Sequence, residues 1–125
     1  PGSAAPESVR AVRGAPRAAL IKSCGSGAVS TRSTHAYTVG LCLYFAFVGK
    51  GRHDAMVEQW WAIKTAAAEA VMKHGGTISH HHAMGRDHKP WAKREIPEAF
   101  RAGIRAVKRE LDPKGILNPG LWFED

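Results

Sequence analysis

Apolar positions along this chain change their spacing from one stretch to the next, and each change predicts an element. Tyr37 to Val48 carries Val39, Leu41, Cys42, Leu43, Tyr44, Phe45, Phe47 and Val48. This density of aromatic and β-branched residues predicts a largely buried strand, ended by Gly49-Lys50-Gly51, and Ala28 to Ser33 predicts a shorter strand ahead of it. Past Asp54, read as a helix cap, Val57, Trp60, Trp61, Ala67, Ala68 and Val71 recur at spacings of three and four, with the stem of Lys64 among them. Those spacings predict a helix with one apolar face, stopped at Gly75-Gly76. Thr77-Ile78-Ser79 reads as a short strand. Ile96, Phe100, Ile104, Val107 and Leu111 then predict a second helix, with Pro97 in its first turn and Asp112-Pro113-Lys114-Gly115 at its end. Asn118-Pro119-Gly120 predicts a further turn.

The start of the chain is less regular. Residues 1–16 are rich in Pro, Gly, Ser and Ala. Val9, Val12, Ala19 and Leu20 share a helical face that Gly14-Ala15-Pro16 is expected to interrupt, since proline lacks an amide proton and restricts its predecessor. The expected organisation is a flexible or partly helical start over 1–26 and a single domain portion over 27–125. The order of elements predicts an α+β fold, with two main helices on one face of a small antiparallel sheet in a ferredoxin-like arrangement. The first strand pair of a complete version is not evident, so the remaining elements are expected upstream of residue 1.

Composition adds limits. The 125 residues suffice for one domain with a modest core, and 44% hydrophobic content disfavours intrinsic disorder away from the ends. Eighteen Lys and Arg against eleven Asp and Glu leave a net charge of +7, which favours an anionic ligand or an acidic partner without choosing between them. Cys24 and Cys42 have neither zinc-ligand nor redox-motif spacing and read as reduced thiols. No apolar run reaches membrane-spanning length and no secretory signal is evident. A cytoplasmic location is expected, with peripheral membrane association and homo-oligomers both admitted.

Chemistry concentrates at His80, His81 and His82, which follow Gly75-Gly76-Thr77-Ile78-Ser79 inside the chain, with His88 nearby. Imidazoles exchange protons near neutral pH, so the triplet permits general acid–base work or anion stabilisation. Zinc ligation and a structural polar loop are the competing readings, and adjacent side chains of an extended segment seldom aim at one ion. Tyr44 packs readily in its apolar strand and can still direct its hydroxyl into a cavity. Arg32 and His35 add a charge and a polar group near the same sheet edge. Arg86, Lys89, Lys93 and Arg94 form a basic patch, either a solvated helix start or an anion-binding wall. Trp91 beside these charges keeps RNA binding open as a reading, but no nucleic-acid motif supports it. Neither Gly25-Ser26-Gly27 nor Gly75-Gly76 makes a dinucleotide fingerprint.

Taken together, Thr38-Val39-Gly40-Leu41-Cys42-Leu43-Tyr44-Phe45, the Gly75 to His82 segment, and Leu111-Asp112-Pro113-Lys114-Gly115-Ile116-Leu117-Asn118-Pro119-Gly120 resemble the C-terminal part of FAD-linked oxidases, from about His35 to Leu121. The triplet narrows the resemblance to the alkylglycerone-phosphate synthase (alkyldihydroxyacetonephosphate synthase) branch. That resemblance implies a cap domain joined to an upstream flavin-binding domain that holds most of the FAD, so the isolated chain is expected to be inactive. It also implies an anionic substrate with a lipid chain: acyl-dihydroxyacetone phosphate exchanges its acyl group for a fatty alcohol with no net redox change. Tyr44 matches the family's active-site tyrosine and becomes the candidate for proton exchange at the substrate carbon. His80, His81 and His82 match the triplet beside the flavin, Asn118 and Gly120 match a loop approaching the cofactor, and Arg86 and Lys89 are candidates for phosphate or domain-interface contacts. No metal is implied.

Two departures matter. Ala83 follows the triplet where the ether-lipid enzymes commonly carry glycine, and alanine disfavours positive φ. The Leu111 to Gly120 ending is similar to FAD-linked 2-hydroxyacid dehydrogenases and oxidases, which commonly carry Gly-Glu-His-Gly in place of the triplet; a cap of that class is the enzymatic alternative. A basic RNA-binding or protein-interaction module is the non-enzymatic one.

Overall fold

Val12, Pro16 and Leu20, four residues apart, form the buried side of the first helix, α1 (Ala5–Cys24). The computed structural model describes residues 5–38, 40–79 and 81–121, in two compact units, Pro1–Gly76 and Thr77–Asp125. The expected break at Gly14-Ala15-Pro16 does not occur, because α1 runs through Pro16. A proline inside a helix costs about 3 kcal/mol in lost hydrogen bonding and clash. Here its ring is fully buried, and that burial offsets the local penalty.

Two strands follow, β1 (Gly27–Tyr37) and β2 (Gly40–Gly49), paired antiparallel from Gly27↔Gly49 to Tyr37↔Gly40. Both expected strands are present; β1 reaches four residues past Ser33, and β2 begins at Gly40 rather than Tyr37. Directly opposed residues share a face, so Val29 and Phe47 lie together on the side that meets α1. There Leu20, Val29 and Ile63 form the core, with Ala19, Cys24 and Phe47 at its margin. Leu20 sits at the base of the hairpin, where a Cβ on either Gly27 or Gly49 would overlap its side chain. The two glycines therefore permit a close approach that no larger residue allows. Arg13 Nε adds a bond to the carbonyl of Val29 at 3.2 Å.

The next helix, α2 (Met56–Lys73), packs against α1. Its cap is Ala55, with no side-chain cap bond, and not Asp54 as expected. The predicted stripe is met at Ala68, which is buried, but Gln59, Ile63 and Ala70 are buried outside it while Val57 and Trp61 are exposed. The cause is Gln59. Its Nε2 donates to the Ser23 carbonyl at 2.6 Å and its Oε1 accepts from the Arg52 amide at 2.7 Å, so its amide enters the interior with its polar atoms satisfied and turns the helix away from the purely apolar arc.

In the second unit Thr77-Ile78-Ser79 is not a strand. Among the described residues β1 and β2 pair only with each other, and a strand needs a ladder to satisfy its backbone. Helix α3 (Gly85–Glu95) was not expected; it is polar, contains Pro90, and buries Trp91 and Ala92. Helix α4 (Glu98–Leu111) starts immediately after Pro97, close to expectation. Its predicted stripe is helical but not enclosed, since Phe100, Val107 and Leu111 are all exposed. The α+β class stands, with four helices and one two-stranded antiparallel sheet. The helix seated on the sheet is α1, expected to break at Pro16 but continuous through it. Cys24 and Cys42 are free thiols, and no helix among the described residues is long and apolar enough to cross a membrane.

Candidate functional site

Two clusters carry the chemistry, one in each unit. The first is the hairpin face turned away from α1. The register pairs Arg32 with Tyr44, and a bulge between Ser33 and His35 leaves Thr34 as the extra residue and sets His35 opposite Cys42. In a ladder of the same sequence without the bulge, His35 would oppose Leu41 on the core side. With it, Arg32, His35 and Tyr44 occupy one face. Tyr44 is half-buried, and Arg32 Cζ lies 5.1 Å from its ring centroid, within cation–π range. His35 and Tyr37 stack with centroids 6.2 Å apart and planes 7° apart. Thr34 Oγ1 donates to the Cys42 carbonyl at 3.4 Å and lies 3.2 Å from His35 Nδ1, tying the extra residue into the ladder.

The second cluster is the histidine loop and the C-terminal loop. His80 lies outside the described residues. His81 and His82 are exposed, their rings edge to face with centroids 4.4 Å apart. Ala83 takes φ +61°, the left-handed backbone that suits glycine, so the departure noted in the sequence is a real conformational cost. Two bonds hold the turn against that cost. Ser79 Oγ donates to the Ala83 carbonyl at 2.9 Å, and the Ile78 amide donates to Glu95 Oε2 at 3.1 Å.

Asn118 and Gly120 lie in the loop after α4, at φ +50° and +77°. Arg86 and Lys89, one turn apart on α3, reach that same loop: Arg86 Nη2 donates to the Pro119 carbonyl at 2.9 Å and Lys89 Nζ to the Gly120 carbonyl at 3.4 Å. The structure thus brings Arg86, Lys89, Asn118 and Gly120 together, as backbone contacts between α3 and the loop. Tyr44 belongs to the first unit and the histidines to the second.

Asp112, expected only as part of a helix stop, organises the C-terminal loop. It is buried, and its Oδ1 accepts the Ile116 amide at 3.0 Å and its Oδ2 the Leu117 amide at 2.9 Å. Lys108 Nζ donates to the same carboxylate and, at 2.6 Å, to the Leu117 carbonyl. The Lys108 hydrogen bond is the main reason that the Asp112 carboxyl titrates below its ordinary value; burial opposes it, and the Leu117 and Ile116 amides reinforce it. An Asp-Pro followed by glycine two residues later was the available signal, because aspartate side chains close such loops by bonding nearby amides.

This chain is similar in sequence to several known proteins. The family of FAD linked oxidases, C-terminal domain, matches residues 1–121, so the likeness starts well before His35 and includes α1. Alkyldihydroxyacetonephosphate synthase of Trypanosoma brucei brucei is 37% identical over 92 residues, covering 74% of this chain and 15% of that protein. The Dictyostelium discoideum protein of the same name is 37% identical over 86 residues, covering 69% of the chain and 14% of its own length. D-2-hydroxyglutarate dehydrogenase of Stutzerimonas stutzeri is 30% identical over 93 residues, 65% of the chain and 20% of that protein. The chain therefore spans a fifth or less of these relatives.

Proposed function

This chain belongs to the C-terminal domain family of FAD-linked oxidases, and from that premise we propose that it is the substrate-binding and catalytic cap portion of a flavin-dependent, alkylglycerone-phosphate synthase-like enzyme. The reaction replaces the acyl group of acyl-dihydroxyacetone phosphate with a fatty alcohol: the C–O bond to the acyl group breaks, the carboxylate leaves, and an ether C–O bond forms as the alcohol loses its proton. The observation that carries this reading is the exposed His81–His82 pair, held on a turn whose alanine occupies positive φ.

The donor set fits the reacting end of a flavin site better than its pyrophosphate end. A phenol, imidazoles and a guanidinium are proton-transfer and charge-stabilising groups, whereas the Gly49-Lys50-Gly51 turn between β2 and α2 carries Asp54 where a dinucleotide fingerprint has its third glycine. Asn118 and Gly120 are the residues that would approach the cofactor, with Arg86 and Lys89 fixing their loop. When bound, FAD supplies the electron-accepting ring that activates the substrate carbon; most of its binding surface belongs to an upstream domain. Tyr44 exchanges the proton at that carbon. His81 and His82, together with His80, accept the alcohol proton and stabilise the departing carboxylate.

A cap of an FAD-linked 2-hydroxyacid dehydrogenase is the second reading, favoured by the Asp112-stapled loop and the D-2-hydroxyglutarate dehydrogenase relative. The test is the full-length protein loaded with FAD. Acyl-dihydroxyacetone phosphate and a long-chain alcohol should yield the ether product with no accumulation of reduced flavin. Steady flavin reduction by a 2-hydroxyacid, with no ether formed, would overturn the exchange reading in favour of the dehydrogenase.

A further inference from the structure

We propose that Arg32 anchors the phosphate of the substrate whose carbon Tyr44 addresses, so that the hairpin face turned away from α1 is an anion subsite as well as a catalytic surface. The inference rests on the reading of Tyr44 given above and goes beyond it by naming the group that holds the substrate's far end.

Arg32 sits directly across the ladder from Tyr44, is exposed, and lies 5.1 Å from the tyrosine ring centroid. No carboxylate among the described residues forms a salt bridge with it, so its charge is available to a ligand. A guanidinium over an aromatic face keeps its N–H edges directed outward, and that fork matches two phosphate oxygens. In a dihydroxyacetone phosphate unit, phosphorus lies four bonds from the reacting carbon, roughly 5 Å at ordinary bond lengths. This is the scale of the Arg32–Tyr44 separation, so one substrate can meet both groups. Arg86 and Lys89, the other cations considered for this role, bond instead to the Pro119 and Gly120 carbonyls. The +7 charge of the chain raises the local concentration of such a dianion without positioning it. The bulged Thr34 adds His35 to the same face as a second proton-bearing group beside the anion.

The test compares binding of dihydroxyacetone phosphate with binding of unphosphorylated dihydroxyacetone to the full-length FAD-loaded protein by calorimetry, without turnover. Arg32→Gln should weaken the phosphate ester roughly tenfold or more, as expected for loss of a charge-assisted bond, and leave dihydroxyacetone unaffected. Arg32→Lys keeps the charge but not the fork and should fall between, which also guards against a Gln variant that fails to fold. With acylated substrate the loss should appear mainly in KM, with kcat within about threefold. Dihydroxyacetone phosphate affinity within about twofold of the parent in both variants would overturn the proposal, as would a parent protein that does not prefer the phosphorylated ligand. Because binding is read apart from chemistry, the two readings fail separately. Absence of ether product alongside Arg32-dependent phosphate affinity defeats the exchange reaction and spares the anchor, and intact exchange with Arg32-independent affinity does the reverse.

Discussion

In Pro1–Gly76, Leu20, Val29 and Ile63 close an apolar core under the hairpin, whereas in Thr77–Asp125 the loops are fixed by side chains bonded to backbone: Asp112 to Ile116 and Leu117, Arg86 to Pro119, Glu95 to Ile78. Helix α4 has no buried residue at all. The first kind of hold scales with buried area and resists substitution only where volume is conserved. The second depends on charge and geometry and responds to pH and to single-atom changes. Each suits what it carries. A tyrosine on a sheet gains fixed orientation from a packed reverse face, while the loops with positive φ are held by point restraints.

Core deletion should break the contrast most forcefully. Leu20→Ala should destabilise the first unit by about 3 kcal/mol, read as faster hydrogen exchange across α1 and the hairpin of the full-length protein, with the amides of Ile116 and Leu117 unaffected. Parallel loosening of both units would show that the division is not energetic. Next comes the chemistry on the hairpin face turned away from α1: Tyr44→Phe should cut ether formation by roughly a hundredfold while leaving the unfolding midpoint in place, and a matching fall in stability would reduce the phenol to a packing group.

Asp112→Asn should have the converse pattern, raising exchange at Ile116 and Leu117 by roughly tenfold without touching α1. The sign of the pH effect follows from its lowered folded-state pKa. The stabilisation is complete above the ordinary value of 3.8 and is lost as pH falls through the lower folded value. Amide shifts of Ile116 and Leu117 in selectively labelled protein should therefore move only below about pH 4, and a midpoint at or above the ordinary value would contradict the carboxylate staple. The smallest effect belongs to Ala83→Gly, which relieves the left-handed strain and should raise stability by about 0.5 kcal/mol. Destabilisation would mean that the turn needs the alanine side chain.

How much of this could be read from the residues follows the same division. Strongly periodic stretches gave α2 and α4 their place, and the aromatic density around Leu43-Tyr44-Phe45 marked β2, because periodicity reports the repeat of an element directly. The continuity of α1 through Pro16 was hidden, since only burial reveals that a local penalty has been offset. The turn of α2 onto Gln59 was hidden for a related reason: its partners at Ser23 and Arg52 lie 36 and 7 residues away. Helix α3 escaped because a charged sequence with an internal Pro90 has the profile of a loop. Within the candidate site, Tyr44 and the triplet were visible as motifs, and Ala83 was singled out for the backbone shape it proves to adopt. What single residues could not show was that Arg86 and Lys89 serve the same loop as Asn118, or that His35 shares a face with Tyr44.

The extra residue at Thr34 has a consequence for how such a surface can diverge. The bulge absorbs one residue of β1 between two runs of regular pairing, and the half nearer Gly27 and Gly49 is pinned by Leu20. Deleting Thr34 would leave His35 opposite Cys42 and Tyr37 opposite Gly40, so every residue of the tip would keep its face while the local twist and the Thr34 bonds were lost. A lineage can therefore gain or lose a residue at that one point of the strand without disturbing the groups around the tyrosine or the core that keeps the sheet folded.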